Sequence, residues 1–202
     1  LGGSQILCGQ FMGRNQMDRP QSIFSLDMVC VGAVSLTMTA VCMVMPGALA
    51  SGLGASDNLR TGLIQYTLGC APGLLAMMGA TQFTAFLQLE RQEKRTYFGI
   101  VLMAVSHSVL DGVFVSVFHM GMLGLGMATA IANWIFFAVQ ASYFFTGKAQ
   151  IRMDLSSIRL PDLRSIVIVG APGAVEKFFL MVRGIVIAHT IAKYIGDAGM
   201  SS

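Results

Sequence analysis

Long apolar stretches divided by short polar segments make up most of the chain. Four stretches, residues 26–48, 62–87, 97–118 and 122–146, are long enough to cross a membrane as helices. The criterion is about 20 apolar residues, which span roughly 30 Å of hydrocarbon at about 1.5 Å per helical residue. A fifth stretch, 165–195, is as long but contains Glu176, Lys177, Arg183 and His189, so its depth and tilt stay open. Residues 1–12 read as the tail of a further helix. The pattern predicts an all-α integral membrane protein, a polytopic helical bundle.

The polar segments carry the orientation. Arg14 and Arg19, then Arg91, Lys94 and Arg95, then Lys148, Arg152, Arg159 and Arg164 fall in alternate connections, whereas the intervening ones hold only Arg60 or no cation. Short loops rich in Lys and Arg stay on the cytoplasmic side. Loops 13–25, 88–96 and 148–164 are therefore expected to be cytoplasmic in a multi-pass protein of the cell membrane, most simply a bacterial plasma membrane. The regular alternation also supports the number of spans, since a missed helix would scramble it.

Composition agrees: 54% of residues are hydrophobic and 11% charged, with 15 Met and 13 Phe. A net charge of +3 without a basic stripe excludes nucleic acid as an expected partner; the lipid bilayer is the expected one. Cys8, Cys30, Cys42 and Cys70 show neither a CxxC pair nor metal-ligand spacing and read as packing residues. The chain opens on LGGSQILCGQFMG and stops just after an apolar run. It is expected to be an internal piece of a longer protein, with the remaining helices of that protein as partners.

Small residues recur in GLGMATAIA (124–132), GCAPG (69–73) and GAPGA (170–174), a pattern that lets helices approach closely. Pro72 and Pro172 each remove a backbone donor and predict kinks, which serve either as hinges or as packing shapes. The stretch DLSSIRLPDLRSI in the longest polar loop has the pattern of an amphipathic surface segment.

Against this background the buried polar residues stand out. His107 and Asp111 are one helical turn apart and share a face. A carboxylate at such depth needs a proton or a partner, so the pair is either a protonatable site in a cation-coupled pathway or a structural clamp. Glu176 and Arg183 fall near one face two turns apart, as a second candidate pair facing a cavity or as residues of a helix end. Asn133 and Gln140, with Thr129 one turn before Asn133, line a cavity or bond across helices. Met38, Met43, Met45, Met77 and Met78 suit an adaptable apolar pocket or ordinary lipid contact.

No P-loop, GxSxG, HExxH or dinucleotide fingerprint is present, so no enzyme and no metal or organic cofactor is expected. A nucleotide-driven pump is disfavoured for the same reason.

Four stretches together resemble the multidrug and toxic compound extrusion (MATE) transporters. GGSQILCGQFMGRNQ (2–16) resembles the end of that family's second helix, and FTAFLQLERQEKRTYFGIVLMAVSHSVLDGVF (83–114) its fourth-to-fifth helix connection. GMLGLGMATAIANWI (121–135) resembles the start of the sixth helix, and IVGAPGAVEKFFLMVRGIVIAHTIAKYIGDAG (168–199) the seventh. The resemblance implies part of a two-bundle, twelve-helix transporter, from the end of helix two to helix seven. Residues 1–147 would be the remainder of the N-terminal bundle, 148–164 the cytoplasmic inter-bundle loop and 165–202 the first helix of the C-terminal bundle. It implies secondary active efflux, with H⁺ or Na⁺ antiport of cationic amphipathic drugs by alternating access. Asp111, His107 and Glu176 are the ion-coupling candidates, and Asn133, Gln140 and Arg183 the substrate-cavity candidates. The chain departs from the family in placing His107 where Asn is common and Glu176 only four residues after Pro172. A lipid-linked oligosaccharide flippase of the same superfamily, or a membrane scaffold without transport, is the alternative.

Overall fold

The computed structural model describes residues 2–14, 16, 18–53 and 57–195. The order is α1 (Gly2–Gly13), α2 (Asp18–Val44), α3 (Pro46–Gly52), α4 (Asp57–Cys70), α5 (Leu74–Leu89), α6 (Glu93–Gly112), α7 (Gly121–Phe145) and α8 (Leu160–Ile195). Among the described residues there is no strand. Five helical stretches are long and apolar enough to cross a membrane: Asp18–Val44, Leu59–Leu89, Glu93–Val117, Gly121–Phe145 and Leu160–Ile187. They coincide with the five expected stretches, with different ends.

The largest difference in boundary is in α2, which begins at Asp18 instead of near residue 26. Its first turns look too polar for hydrocarbon, but Ser22 and Ser25 are buried under the segment before α8 instead of facing lipid. Ser25 Oγ accepts the Asp154 N–H at 2.9 Å and Ser22 Oγ accepts the Arg159 N–H at 3.1 Å. Asp18 in the first turn favours the helix start through the dipole. The loop segment expected to be amphipathic forms a 3₁₀ turn, Leu155–Ser157, capped by Asp154, and then enters α8 at Leu160.

The two prolines behave differently. Pro72 lies in a 3₁₀ turn, Ala71–Gly73, that separates α4 from α5 within one membrane-length stretch. Its carbonyl accepts the Trp134 indole N–H at 3.1 Å, so α7 satisfies a backbone group that the break exposes. Pro172 lies inside α8, which continues through it.

The bundle core sits at the end of the molecule where the cationic connections gather. Phe24 of α2 meets Phe86 of α5 edge-on at 4.6 Å between centroids and stacks on Phe144 of α7 at 5.2 Å, with Ile23, Cys8 and Ile151 buried in the same cluster. Such aromatic pairs contribute about 0.5–1.5 kcal/mol each beyond area burial. The expected small-residue packing is present. A Cβ on Gly69 would lie 2.6 Å from the Leu123 carbonyl oxygen, and one on Gly3 would lie 2.5 Å from that of Ile166, so α4 with α7 and α1 with α8 touch backbone to backbone. Met38, Met43, Met45 and Met77 are exposed on the outer surface and Met78 is half-buried. All four cysteines are free thiols.

A candidate polar site between α6 and α7

Helices α6 and α7 run antiparallel through a tight connection in which His119 (φ 54°) and Gly121 (φ 56°) adopt left-handed backbone conformations. This reversal sets His107 of α6 beside Thr129 of α7. The Thr129 hydroxyl donates to the Leu125 carbonyl at 2.9 Å, and its oxygen lies 3.0 Å from His107 Nε2. With its one proton engaged, the hydroxyl can only accept from the imidazole, so the hydrogen-bond network assigns the proton to His107 Nε2.

The same nitrogen lies 3.8 Å from Asp111 Oδ2. The two side chains expected to share a face thus lie near one another, beyond hydrogen-bond distance, and Thr129 holds the imidazole from the neighbouring helix. The site is partly open, the His107 and Asp111 side chains being 42% and 31% exposed. Asp111 Oδ1, however, is buried and has no hydrogen-bond partner among the described residues. Asp111 lies about 27 Å along α6 from Glu93, at about 1.5 Å per residue. Directly beyond it, Val113–Val117 form a π-helical turn, closed by the Phe118 N–H on the Val113 carbonyl at 3.1 Å. Single π turns widen a helix and recur at functional positions. Here the run of β-branched valines after Gly112 is a weak helix former, which favours the irregularity.

The other candidates are distributed elsewhere. Asn133 is one turn beyond Thr129 on α7 and is half-buried. Gln140 is a further two turns along and fully buried, its Nε2 donating to Thr84 Oγ1 of α5 at 3.1 Å while Oε1 has no partner among the described residues. It ties α5 to α7 at a distance from the His107 group. Glu176 and Arg183 are exposed on α8, which packs on α1 and α2, and among the described residues no ion pair joins them. The side chain of His189 lies outside the described residues.

Asp27 was not legible as a candidate. It is buried at 6% exposure, one carboxyl oxygen has no partner among the described residues, and the Ser4 hydroxyl of α1 hydrogen-bonds the carboxyl group. Read from the sequence, it stands at the edge of a span beginning at residue 26; the true start at Asp18 carries it more than two turns inward.

No family model matches the sequence, and neither does any curated protein. Solved structures do. The chain is similar to an inward-facing multidrug resistance MATE family transporter of the MOP superfamily, with a TM-score of 0.76 and 18% identity over 84% of this chain and 39% of the other. It is also similar to a MATE protein in a bent conformation, with a TM-score of 0.84 and 16% identity over 98% of this chain and 45% of the other. The chain carries a MATE fold. It spans less than half the length of these MATE structures, and at such identities the likeness establishes the architecture alone. The expected helical membrane-bundle fold, part of a MATE-like architecture, is therefore found.

Proposed function

We propose that the chain is part of a secondary active efflux transporter, in which H⁺ or Na⁺ exchange drives export of cationic amphipathic drugs by alternating access. The observation that carries this reading is the unpartnered Asp111 Oδ1. A buried acceptor left unsatisfied costs about 1–3 kcal/mol, and more when charged. A proton or a cation at that oxygen removes the penalty, while His107, its Nε2–H engaged by Thr129, stands 3.8 Å from the other carboxylate oxygen. The MATE fold supports the transport class. In this reading Asp111 and His107 couple the ion and Asn133 borders the same face. Glu176 and Arg183, exposed on α8, act with further helices of the full-length protein, and Gln140 ties α5 to α7. Residues 1–147 contribute to the first bundle, 148–164 are the inter-bundle loop and 165–202 open the second bundle. Loops 13–25, 88–96 and 148–164 face the cytoplasm, in keeping with their Lys and Arg content.

The test is ethidium efflux from everted vesicles containing the full-length protein, driven by an imposed pH or Na⁺ gradient, with Asp111→Asn and Glu176→Gln compared at matched expression and melting temperature. Loss of gradient-driven efflux in Asp111→Asn is expected. Unchanged efflux in that variant returns the His107–Asp111 pair to a structural clamp. Wild-type protein that moves no cationic dye removes the drug reading in favour of a lipid-linked oligosaccharide.

A further inference from the structure

The same two helices also form a recess, chemically different from the His107 site, at the cationic end of the bundle. It has a volume of about 490 Å³ and is lined by Gln92, Lys94, Arg95, Phe98, Val139 and Ser142. Arg95 is fixed in it on three sides. Its Nη1 donates to Ser142 Oγ at 2.6 Å and to the Val139 carbonyl at 3.3 Å, and its guanidinium carbon lies 5.6 Å from the centre of the Tyr143 ring.

A guanidinium has five donors, and the Nη2 and Nε donors of Arg95 have no partner among the described residues. A cation already held in place loses little freedom when an anion arrives, and its planar fork suits phosphate oxygens. Lys94 is exposed beside it and enters no ion pair among the described residues. The Glu90 carboxylate does not line the recess and is turned to other donors. It accepts the Tyr143 hydroxyl at 2.7 Å and the N–H groups of Ile151 and Gln150 at 2.8 and 3.1 Å. Glu93 precedes Lys94 but does not line the recess.

Away from the cations the wall turns apolar. Phe98 and Val139 form it within the recess, and Val101 and Val105 continue it as exposed residues one turn apart along α6. Two cations at the rim of a membrane-spanning bundle, with an apolar track leading from them along a spanning helix, match the two halves of a lipid. A free anion would use only the first.

We propose that this recess binds the phosphodiester headgroup of an anionic phospholipid, with Arg95 and Lys94 on the phosphate and an acyl chain along Phe98, Val101 and Val105. Basic recesses between membrane helices suit such headgroups, each nearby cation raising affinity about fivefold. The assignment is independent of what the protein transports.

Native mass spectrometry of the full chain in detergent tests it, titrating phosphatidylglycerol, phosphatidylcholine with the same acyl chains, and inorganic phosphate. Phosphatidylglycerol is expected to bind at lower concentration than phosphatidylcholine. Lys94→Gln should weaken it about fivefold. Arg95→Gln should weaken it further, but that variant also loses the bonds from α6 to α7. Lys94→Gln is therefore decisive: it breaks no bond among the described residues, and it removes a cation from the first turn of a helix, where a cation is unfavourable. Equal binding of the two lipids, or wild-type affinity for phosphatidylglycerol in Lys94→Gln, overturns the proposal. Inorganic phosphate competing with phosphatidylglycerol at equal concentration also overturns it, leaving a free-anion site.

Discussion

Arg19 and Asp162 meet at 2.6 Å across 143 residues of chain, and Ser22 donates to the other carboxylate oxygen at 2.8 Å. The two partners are buried unequally: the Arg19 side chain is 42% exposed and that of Asp162 only 6%. Arg19→Ala leaves a buried carboxylate with Ser22 as its one side-chain partner, whereas Asp162→Asn leaves a guanidinium that water can reach. Truncating one partner of a fully buried pair costs about 3–5 kcal/mol. The exposure of Arg19 lowers the expectation to about 1–2 kcal/mol for Arg19→Ala and less for Asp162→Asn. Thermal unfolding in detergent checks the order, and a larger loss in Asp162→Asn contradicts it.

The α4–α7 crossing predicts sharp position dependence among glycines. Gly69→Ala drives a Cβ against the Leu123 carbonyl oxygen at 2.6 Å and the Met127 nitrogen at 2.9 Å. Overpacking of this kind costs about 1–3 kcal/mol. Gly32→Ala meets nothing within 4 Å in α2, so it should be neutral or gain about 0.5–1 kcal/mol from helix propensity. Melting temperatures of the two variants should move in opposite directions or differ by several degrees.

Thr129→Val keeps the shape of the side chain and removes the acceptor 3.0 Å from His107 Nε2. The expected result is gradient-driven efflux reduced about tenfold, roughly one hydrogen bond's contribution to orienting the imidazole. Expression should be unchanged. If Thr129 acts only through this group, adding Thr129→Val to Asp111→Asn causes no further loss. An additive double variant separates the two residues.

Outside the spans, the Asp154 carboxyl is held below its ordinary value of 3.8, first by the Ser156 hydroxyl and then by the Ser156 N–H. A carboxyl group depressed on folding contributes its stability above the unfolded value and loses it as pH falls through the folded one. The 3₁₀ turn at Leu155–Ser157 should therefore loosen only below about pH 4. Pepsin cleavage between residues 150 and 160 should rise there, and in Asp154→Asn it should lose that pH dependence.

The spans, the break at Pro72 and the His107–Asp111 pair were legible because each is local: a run length, a missing donor, a spacing of one turn. Thr129 as the orienting group was not, since nothing in a sequence says which turn of α7 faces His107. Arg19 entered only as a loop cation and Asp162 only within an amphipathic segment, because a bond across 143 residues leaves no local pattern. Gln140 showed its polarity, but its partner Thr84 lies 56 residues away. Asp27 was hidden by a different mechanism. The start of α2 is polar enough to look extramembranous, and only the loop folded over Ser22 and Ser25 shows that it is covered.

That covering changes what the long connection can do. Glu90 grips its beginning at Gln150 and Ile151, Ser25 and Ser22 its middle at Asp154 and Arg159, and Arg19 its end at Asp162. Fastened at every few residues, it resembles a splint more than a rope. A pull on α8 passes straight into the first turns of α2, and any swing of α8 must pivot beyond Asp162 or first undo its bonds to Arg19 and Ser22.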